Sequence, residues 1–254
     1  MTTMDFLPLD DVLIPQVLAA EKDFLVVYKP PKMHSAPLPR SLKADTLFHW
    51  CALKFPETAD LPGRQAGEGG LLHRLDYETR GLLLVARTQA GMESLLEQQR
   101  EGRILKEYSA LTLANSRALA GFPAEKPVLP PWVLSGEGGA GLVQIKSAFR
   151  PYGPGRKAVR PVSGGEQYNT EILETRPQAG GITAFRVRII RGFRHQIRCH
   201  LAWLGAPILN DALYGGEPSG GGFLALAASA LYFTDPSSGT ERAFAIRQPG
   251  SPLR

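Results

Sequence analysis

The segment Leu71–Gly81, LLHRLDYETRG, brings His73, Arg74 and Asp76 close together in the chain. Gly81 and an apolar strand follow, and a polar knot opening onto a core strand is where a sheet protein sets its site residues. A carboxylate on such a loop can act as a nucleophile or a base, provided it stays ionised. An arginine beside it, here Arg74, would keep its proton affinity low and fix its orientation. A plainer reading stays open from these residues alone. Arg74, Asp76 and Glu78 would then be a surface ion-pair cluster, and His73 a packed core histidine with its ring nitrogens bonded to backbone.

The second chemical segment is basic. FRVRIIRGFRHQIRCHLAWLG, residues 185–205, carries Arg186, Arg188, Arg191, Arg194 and Arg198. If a helix begins at Arg194, Arg198 lies one turn on and shares its face, while Ile197, Leu201 and Leu204 form the buried stripe. Those arginines could hold phosphates or pair with a carboxylate, and Gln196 offers a hydrogen-bonding fork to a base or to backbone. Equally, they could form the solvated face of a structural helix. His195 and His200 are spaced too far apart to stack on one helical face and have no third ligand nearby, so no metal is expected. Arg150, Arg156, Lys157 and Arg160 lie in a Gly/Pro-containing stretch that reads as a mobile loop, suited to a phosphate backbone or simply solubilising. Tyr108, on a strand just after Lys106, could stack on a base; the residue by itself favours a core position.

The positioning elements are legible from periodicity and punctuation. Phe24–Tyr28 is a strand rich in β-branched and aromatic residues, stopped by Pro30 and Pro31. Ser41–Pro56 reads as partly helical and 57–70 as a polar, glycine-rich loop. Gly81–Arg87 is a strand covered on both faces. Thr88 caps a helix through Met92, Leu95 and Leu96, with Gly102 as its stop. Another strand starts at Ile104, and 115–140 is loop-like. Strands resume at Gly141–Ala148, Glu166–Thr175 and Ile182–Ile190, and a helix spans Arg194–Leu204, ended by Gly205. Leu226–Phe233 is a helix or a strand. Residues 1–20 read as a lead-in segment, with no boundary between two full domains after them. Many strands and few helices imply an α+β, mixed α/β, domain on a large, mostly antiparallel sheet flanked by helices and loops.

Composition bounds the rest. The 254 residues are 43% apolar, enough for one sizeable core. The net charge of +5 favours a polyanionic partner without proving one. Two distant cysteines, Cys51 and Cys199, exclude a disulfide scaffold and point to a reduced, cytoplasmic setting. The first residues do not resemble a signal peptide, and no apolar run reaches membrane-spanning length.

Taken together, these motifs resemble the RluA-type pseudouridine synthases over residues 20–236. His73-Arg74-Leu75-Asp76 with Thr79 and Gly81 is similar to the motif H-R-L-D-x-x-T-S-G, in which the aspartate is catalytic. Val26-Val27-Tyr28-Lys29-Pro30-Pro31 resembles the early motif ending in Lys-Pro, and Lys106-Glu107-Tyr108 the K-x-Y motif, whose tyrosine stacks on the target base. His195-Gln196-Ile197-Arg198 with His200-Leu201 resembles G-R-T-H-Q-I-R-x-H-L, and Pro207-Ile208, Asp211 and Tyr214-Gly215 the trailing P-I-x-x-D-x-x-Y-G. Three motifs depart: Arg80 replaces a serine, Phe193-Arg194 replaces Arg-Thr, and Leu226-Ala227-Ala228 lacks the histidine of L-H-A.

The resemblance implies a pseudouridine synthase catalytic fold over residues 21–254, with no cofactor and with ribosomal or transfer RNA as partner. It implies that Asp76 starts the reaction, with Arg74, Tyr108 and Arg198 in support and Arg198 pairing with the aspartate. Lys29, Arg80, Arg156, Lys157, Arg160, Arg194 and Gln196 are the expected RNA contacts. Many relatives carry an S4 RNA-binding domain ahead of the catalytic one, and the roughly twenty residues before Phe24 are too few to fold alone. A form without that domain, acting as a monomer, is therefore expected. Two rivals remain from the residues themselves: an RNA binder that has lost catalysis, and a hydrolase using Asp76 and His73 on a small substrate.

Overall fold

A computed structural model describes residues 4–8, 13–37, 45–63, 67–115, 119–123, 125–135, 137–220 and 222–247. In chain order the elements are β1 (Met4–Pro8), β2 (Gln16–Ala20), β3 (Phe24–Lys29), α1 (Leu47–Lys54), β4 (Arg80–Ala86), α2 (Gln89–Arg100) and β5 (Leu105–Leu113). They continue with β6 (Gly139–Tyr152), β7 (Ala158–Val162), β8 (Tyr168–Pro177), β9 (Ile182–Ile189), α3 (Gln196–Leu204), β10 (Leu226–Thr234) and β11 (Glu241–Arg247). The class is α+β with mostly antiparallel strand pairing, as the pattern predicts. The chain forms two compact units, one of Met1–Lys106 with Ala228–Arg254 and one of Glu107–Ala227.

In the first unit the strand order is β2-β3-β4-β10, with β11 beside β10 and β1 beside β11. The β2–β3, β3–β4 and β10–β11 pairings are antiparallel and β1–β11 is parallel. Residues 1–20, read from sequence as a lead-in, thus supply β1 and β2. Every residue of β3 and every residue of β4 after Arg80 is buried, as consecutive apolar runs require. Thr88 caps α2 as expected: its Oγ accepts from Gly91 N at 3.0 Å and donates to Asp23 Oδ1 at 2.6 Å. Gln98 ties the far end of α2 to the sheet, donating to Thr234 O and accepting from Thr234 N, both at 2.8 Å. Gly81 has φ +125°, and a Cβ there would lie 2.3 Å from Ala228 O, so the neighbouring strand β10 approaches the start of β4 too closely for a side chain. α1 occupies part of the 41–56 stretch; residues 41–44 lie outside the described ones.

In the second unit the order is β5-β9-β8-β6-β7, and β8–β9, β6–β8 and β6–β7 are antiparallel. The supposed mobile loop at 150–160 is a hairpin. β6 runs on to Tyr152, β7 returns from Ala158, and Arg150 sits directly opposite Arg160. Gly153 and Gly155, both with positive φ, make the reversal that composition alone reads as looseness. Pro161 lies on β7, at the edge of the order, where its missing N–H costs the sheet nothing. Leu226–Thr234 is a strand.

Helix α3 starts later than the sequence suggests. His195 adopts the left-handed conformation (φ +57°) and Gln196 opens the helix, so Arg194 lies outside it and does not share a face with Arg198. α3 contributes Cys199 and Ala202 to a core completed by Phe149, Ala158, Val159, Tyr168 and Tyr214. His200, fully buried, bridges β6 and β8 through Ser147 Oγ at 2.9 Å and Thr170 Oγ1 at 2.8 Å. Burial pulls its pKa down to about 3.

Two predictions follow from this packing. The unfolded chain holds a proton on His200 near the usual 6.5, far more tightly than the folded one. Stability is therefore full above that pH and declines as pH falls from about 6.5 towards 3, because the unfolded state binds more protons in that window. Urea unfolding across this range will show the decline, and His200→Gln will flatten part of it. Gly81→Ala will lower the unfolding free energy by roughly 2–4 kcal/mol, since it adds both a strained φ and an overlap with β10. A loss below about 0.5 kcal/mol in the same assay would contradict that close approach.

Candidate active site

In the first unit, the segment leading to Asp76 is stitched to β4. Leu72 N donates to Leu84 O at 3.1 Å, and Leu84 N donates to His73 Nε2 at 3.2 Å. His73 therefore stands in for a backbone acceptor along the strand, which is the core-histidine reading and removes Nε2 from any general-base role. One residue before Asp76 the backbone is clamped: Leu75 N donates to Ser35 Oγ, and Ser35 Oγ donates to Leu75 O, both at 2.9 Å. Asp76 O accepts from Thr79 N at 3.1 Å, closing a turn. The Tyr77 ring lies 4.6 Å from His34, and the Asp76 side chain is half-buried. Ser35, a serine in a Met-His-Ser run, carries no sequence signal that it will brace a residue forty positions on.

Two expected roles change. Arg74 pairs with Glu68 at 2.8 Å, and its side chain is 54% exposed while that of Glu68 is 7% exposed. Arg74 thus neutralises a buried carboxylate and does not orient Asp76. Lys29 is not an RNA contact, because it is fully buried. Its Nζ donates to Pro30 O at 2.9 Å, Met33 O at 2.7 Å and Tyr77 O at 3.4 Å. Burial pulls its pKa down to about 7, against the opposing pull of the Asp76 charge. Arg80 opens β4, half-buried, and makes no ion pair among the described residues.

In the second unit, Tyr108 sits on β5, 5% exposed. Arg198, on α3, is 2% exposed and forms a two-pronged pair with buried Asp211: Nε to Oδ2 at 2.7 Å and Nη2 to Oδ1 at 2.8 Å. Asp211 Oδ1 also accepts from Leu213 N and Tyr214 N, each at 3.2 Å. The Tyr214 ring lies 5.4 Å from the guanidinium, and its hydroxyl accepts from Val159 N at 2.8 Å. Burial raises the Tyr214 pKa. In the sequence Asp211 is one letter of a trailing motif. The D-x-x-Y spacing held the signal, since an aspartate can cap the turn two and three residues on.

Gln196 is corrected as well. It is 2% exposed, its Nε2 donates to Asn169 O and Thr170 Oγ1, and its Oε1 accepts from Phe193 N. Every polar arm is spent on bracing the start of α3, leaving nothing to offer a base. The dense arginines divide likewise. Arg186 pairs with Glu107 and Glu174, Arg188 with Glu171, and Arg191 with Glu166. Among the described residues, Arg150, Arg156, Lys157, Arg160 and Arg194 have no carboxylate partner. Arg156 and Lys157 are exposed near the hairpin tip. Arg160 donates to Gly121 O at 3.2 Å and Arg194 to Arg156 O at 3.0 Å. Among the described residues no cluster of His, Cys, Asp or Glu could hold a metal ion, and no helix is long and apolar enough to cross a membrane.

Comparison with known proteins identifies the family. The family model for RNA pseudouridylate synthase matches residues 23–203. Ribosomal large subunit pseudouridine synthase D of Vibrio vulnificus is 28% identical over 246 residues, covering 90% of this chain and 65% of that protein. The protein of the same name from Yersinia pestis is 28% identical over 205 residues, covering 80% of this chain and 53% of its own length. The chain thus spans between half and two thirds of the curated relatives it matches. Among solved structures, human RNA Pseudouridylate Synthase Domain Containing 1 shares the fold at a TM-score of 0.61 and 22% identity, covering 97% of this chain and 88% of that one. The matched span contains Asp76, Tyr108, Arg198 and the whole of the basic hairpin, and the chain belongs to the RNA pseudouridylate synthase family.

Proposed function

We propose that this chain isomerises a specific uridine in ribosomal or transfer RNA to pseudouridine, with Asp76 initiating cleavage of the glycosidic bond. The observation that carries the reading is the Asp76 loop itself. A half-buried carboxylate within the family-matched span sits on a backbone held by Ser35 at Leu75, by the turn to Thr79 and by the Lys29 ammonium on the carbonyl of Tyr77. One fixed geometry is the preparation a nucleophile or base requires. The names of the bacterial relatives make large-subunit ribosomal RNA the first substrate to try.

In the reaction the N1–C1′ bond breaks, the uracil turns, and a C5–C1′ bond forms. The proton on C5 leaves to solvent and N1 gains one, so no redox step occurs. Asp76 begins it by attacking C1′ or by removing the 2′ proton. In this reading Tyr108 holds the base and Arg198 supports the aspartate, with Asp211 fixing the arginine. The uridine must leave its stack, at a cost of a few kcal/mol that a loop target lowers. The uncompensated cations of the β6–β7 hairpin, with Arg194, would follow the phosphate backbone.

Release of tritium from RNA carrying C5-tritiated uridine, in separate ribosomal and transfer RNA pools, tests the chemistry. Wild type should release label from one pool, and Asp76→Asn should fall at least about a thousandfold with its melting temperature and RNA affinity nearly unchanged. Measurable turnover by a clean Asp76→Asn sample would sink the assignment, as would no release by folded, RNA-bound wild type. The hairpin is tested by RNA affinity against salt. Arg156→Gln with Lys157→Gln should weaken binding by about tenfold and reduce the magnitude of the log–log salt slope by up to about two. An unchanged slope would remove the hairpin from the interface.

A further inference from the structure

Single exposed leucines and valines are ordinary on a protein surface. An exposed aromatic ring is less so, because it forgoes a large burial gain. Among the described residues Tyr77 is the one aromatic side chain that stands well out of the fold, 45% exposed, and it is the residue that follows Asp76. The ring is not loose. Its centroid lies 4.6 Å from that of His34, with the planes inclined by 40°, so one side of it rests on the imidazole. His34 is fixed in turn: its carbonyl accepts from Leu47 N at 2.9 Å, at the start of α1, and its backbone bridges to Thr46. The Tyr77 backbone is held from below by Lys29 Nζ on its carbonyl at 3.4 Å. The tyrosine therefore presents a flat apolar surface already ordered before anything binds, which lowers the entropic cost of using it.

The chemistry beside it defines what that surface can receive. Taking a uridine out of its stack strips a stacking partner from the nucleotide next to it. Unpaired bases recover such a loss on aromatic side chains. Consecutive Cα atoms are about 3.8 Å apart, so a strand whose ribose lies at Asp76 carries its next nucleotide within reach of Tyr77. The turn that bears His34 also bears Lys32, exposed, and the loop that bears Tyr77 runs on to Arg80, with exposed Glu78 as the opposing charge. Cations on both supporting loops suit a ligand whose apolar face is flanked by phosphates. Were the ring only packing for His34, a leucine would serve as well.

We propose that Tyr77, backed by His34, is a stacking platform for the nucleobase adjacent to the target uridine, replacing the stack that flipping removes. This rests on the reading of Asp76 as the reactive carboxylate. Tyr77 binds the strand and takes no part in making or breaking bonds. The face of its ring is what acts, and its hydroxyl is dispensable.

The test uses the ribosomal or transfer RNA pool from which wild type releases tritium. Rates against RNA concentration separate kcat from KM for wild type, Tyr77→Phe, Tyr77→Leu and Asp76→Asn, with the melting temperature of each. Tyr77→Phe keeps the ring and should match wild type within about twofold. Tyr77→Leu keeps apolar bulk but loses the π face, and should raise KM about tenfold with kcat and melting temperature nearly unchanged. Mapping the product then identifies the two neighbours of the modified uridine, and the same RNA is made with an abasic site at each in turn. One of the two should raise the KM of wild type by a similar factor and leave that of Tyr77→Leu where it was, since the two partners of one contact are not lost twice. An unchanged KM in Tyr77→Leu, a fall in kcat in its place, or losses that add for both abasic sites would overturn the proposal. Should Tyr77→Leu fail to fold, wild type decides: an unchanged KM with either abasic RNA contradicts the platform. Turnover by Asp76→Asn would defeat the reading of Asp76 itself, whereas an inactive Asp76→Asn beside an unaltered Tyr77→Leu defeats only the inference about Tyr77.

Discussion

A positive charge taken wholly out of water has to be resolvated by the chain, and this need organises the surroundings of Asp76. Lys29 gathers carbonyls from the end of β3 and from the loop after Leu75, so the geometry of the site follows from the solvation of one ammonium. Ser35 adds a second clasp on the same loop. The second unit repeats the logic with a guanidinium: Asp211 gives Arg198 two acceptors and also closes the turn before Tyr214, so pairing the charge and shaping the chain are one event. Buried, two-pronged pairs of this kind add little net stability but allow few alternative geometries.

The distribution of charge is as telling as its sum. A net +5 spread evenly would signify little, but β8 and β9 cancel their own arginines. Glu171 faces Arg188 and Glu174 faces Arg186 across the ladder, which is where opposite charges gain most from the sheet. The hairpin of β6 and β7 does the reverse, setting Arg150 against Arg160. Like charges directly opposite cost stability, and a polyanion laid over them would relieve that cost.

Much of this was legible in the residues. The β3 and β4 runs, the Thr88 cap, the Gly205 stop and the α+β class all follow from local chemistry that no distant contact overrides. Asp76 stood out because polar residues interrupting an apolar pattern have few structural reasons to be there. What escaped was the direction of side chains. Lys29, Arg74 and Gln196 are polar and lie beside functional motifs, yet whether such a residue faces a ligand or braces its own backbone depends on partners tens of positions away. The hairpin at 150–160 escaped because Gly and Pro mark both a loose loop and a tight reversal, and only the pairing partner separates them. The late start of α3 turned on the left-handed conformation of His195, which no periodicity announces.

The outer side of β7 is covered: Val159 N donates to the Tyr214 hydroxyl, the Cys199 thiol donates to Val159 O, and Pro161 is buried. A strand so covered is a poor template for backbone-to-backbone addition. The same edge carries Arg160, with Arg156 and Lys157 just before it. Sheet extension is thereby disfavoured beside the cations of the hairpin, and what docks there would be recognised through side-chain charge.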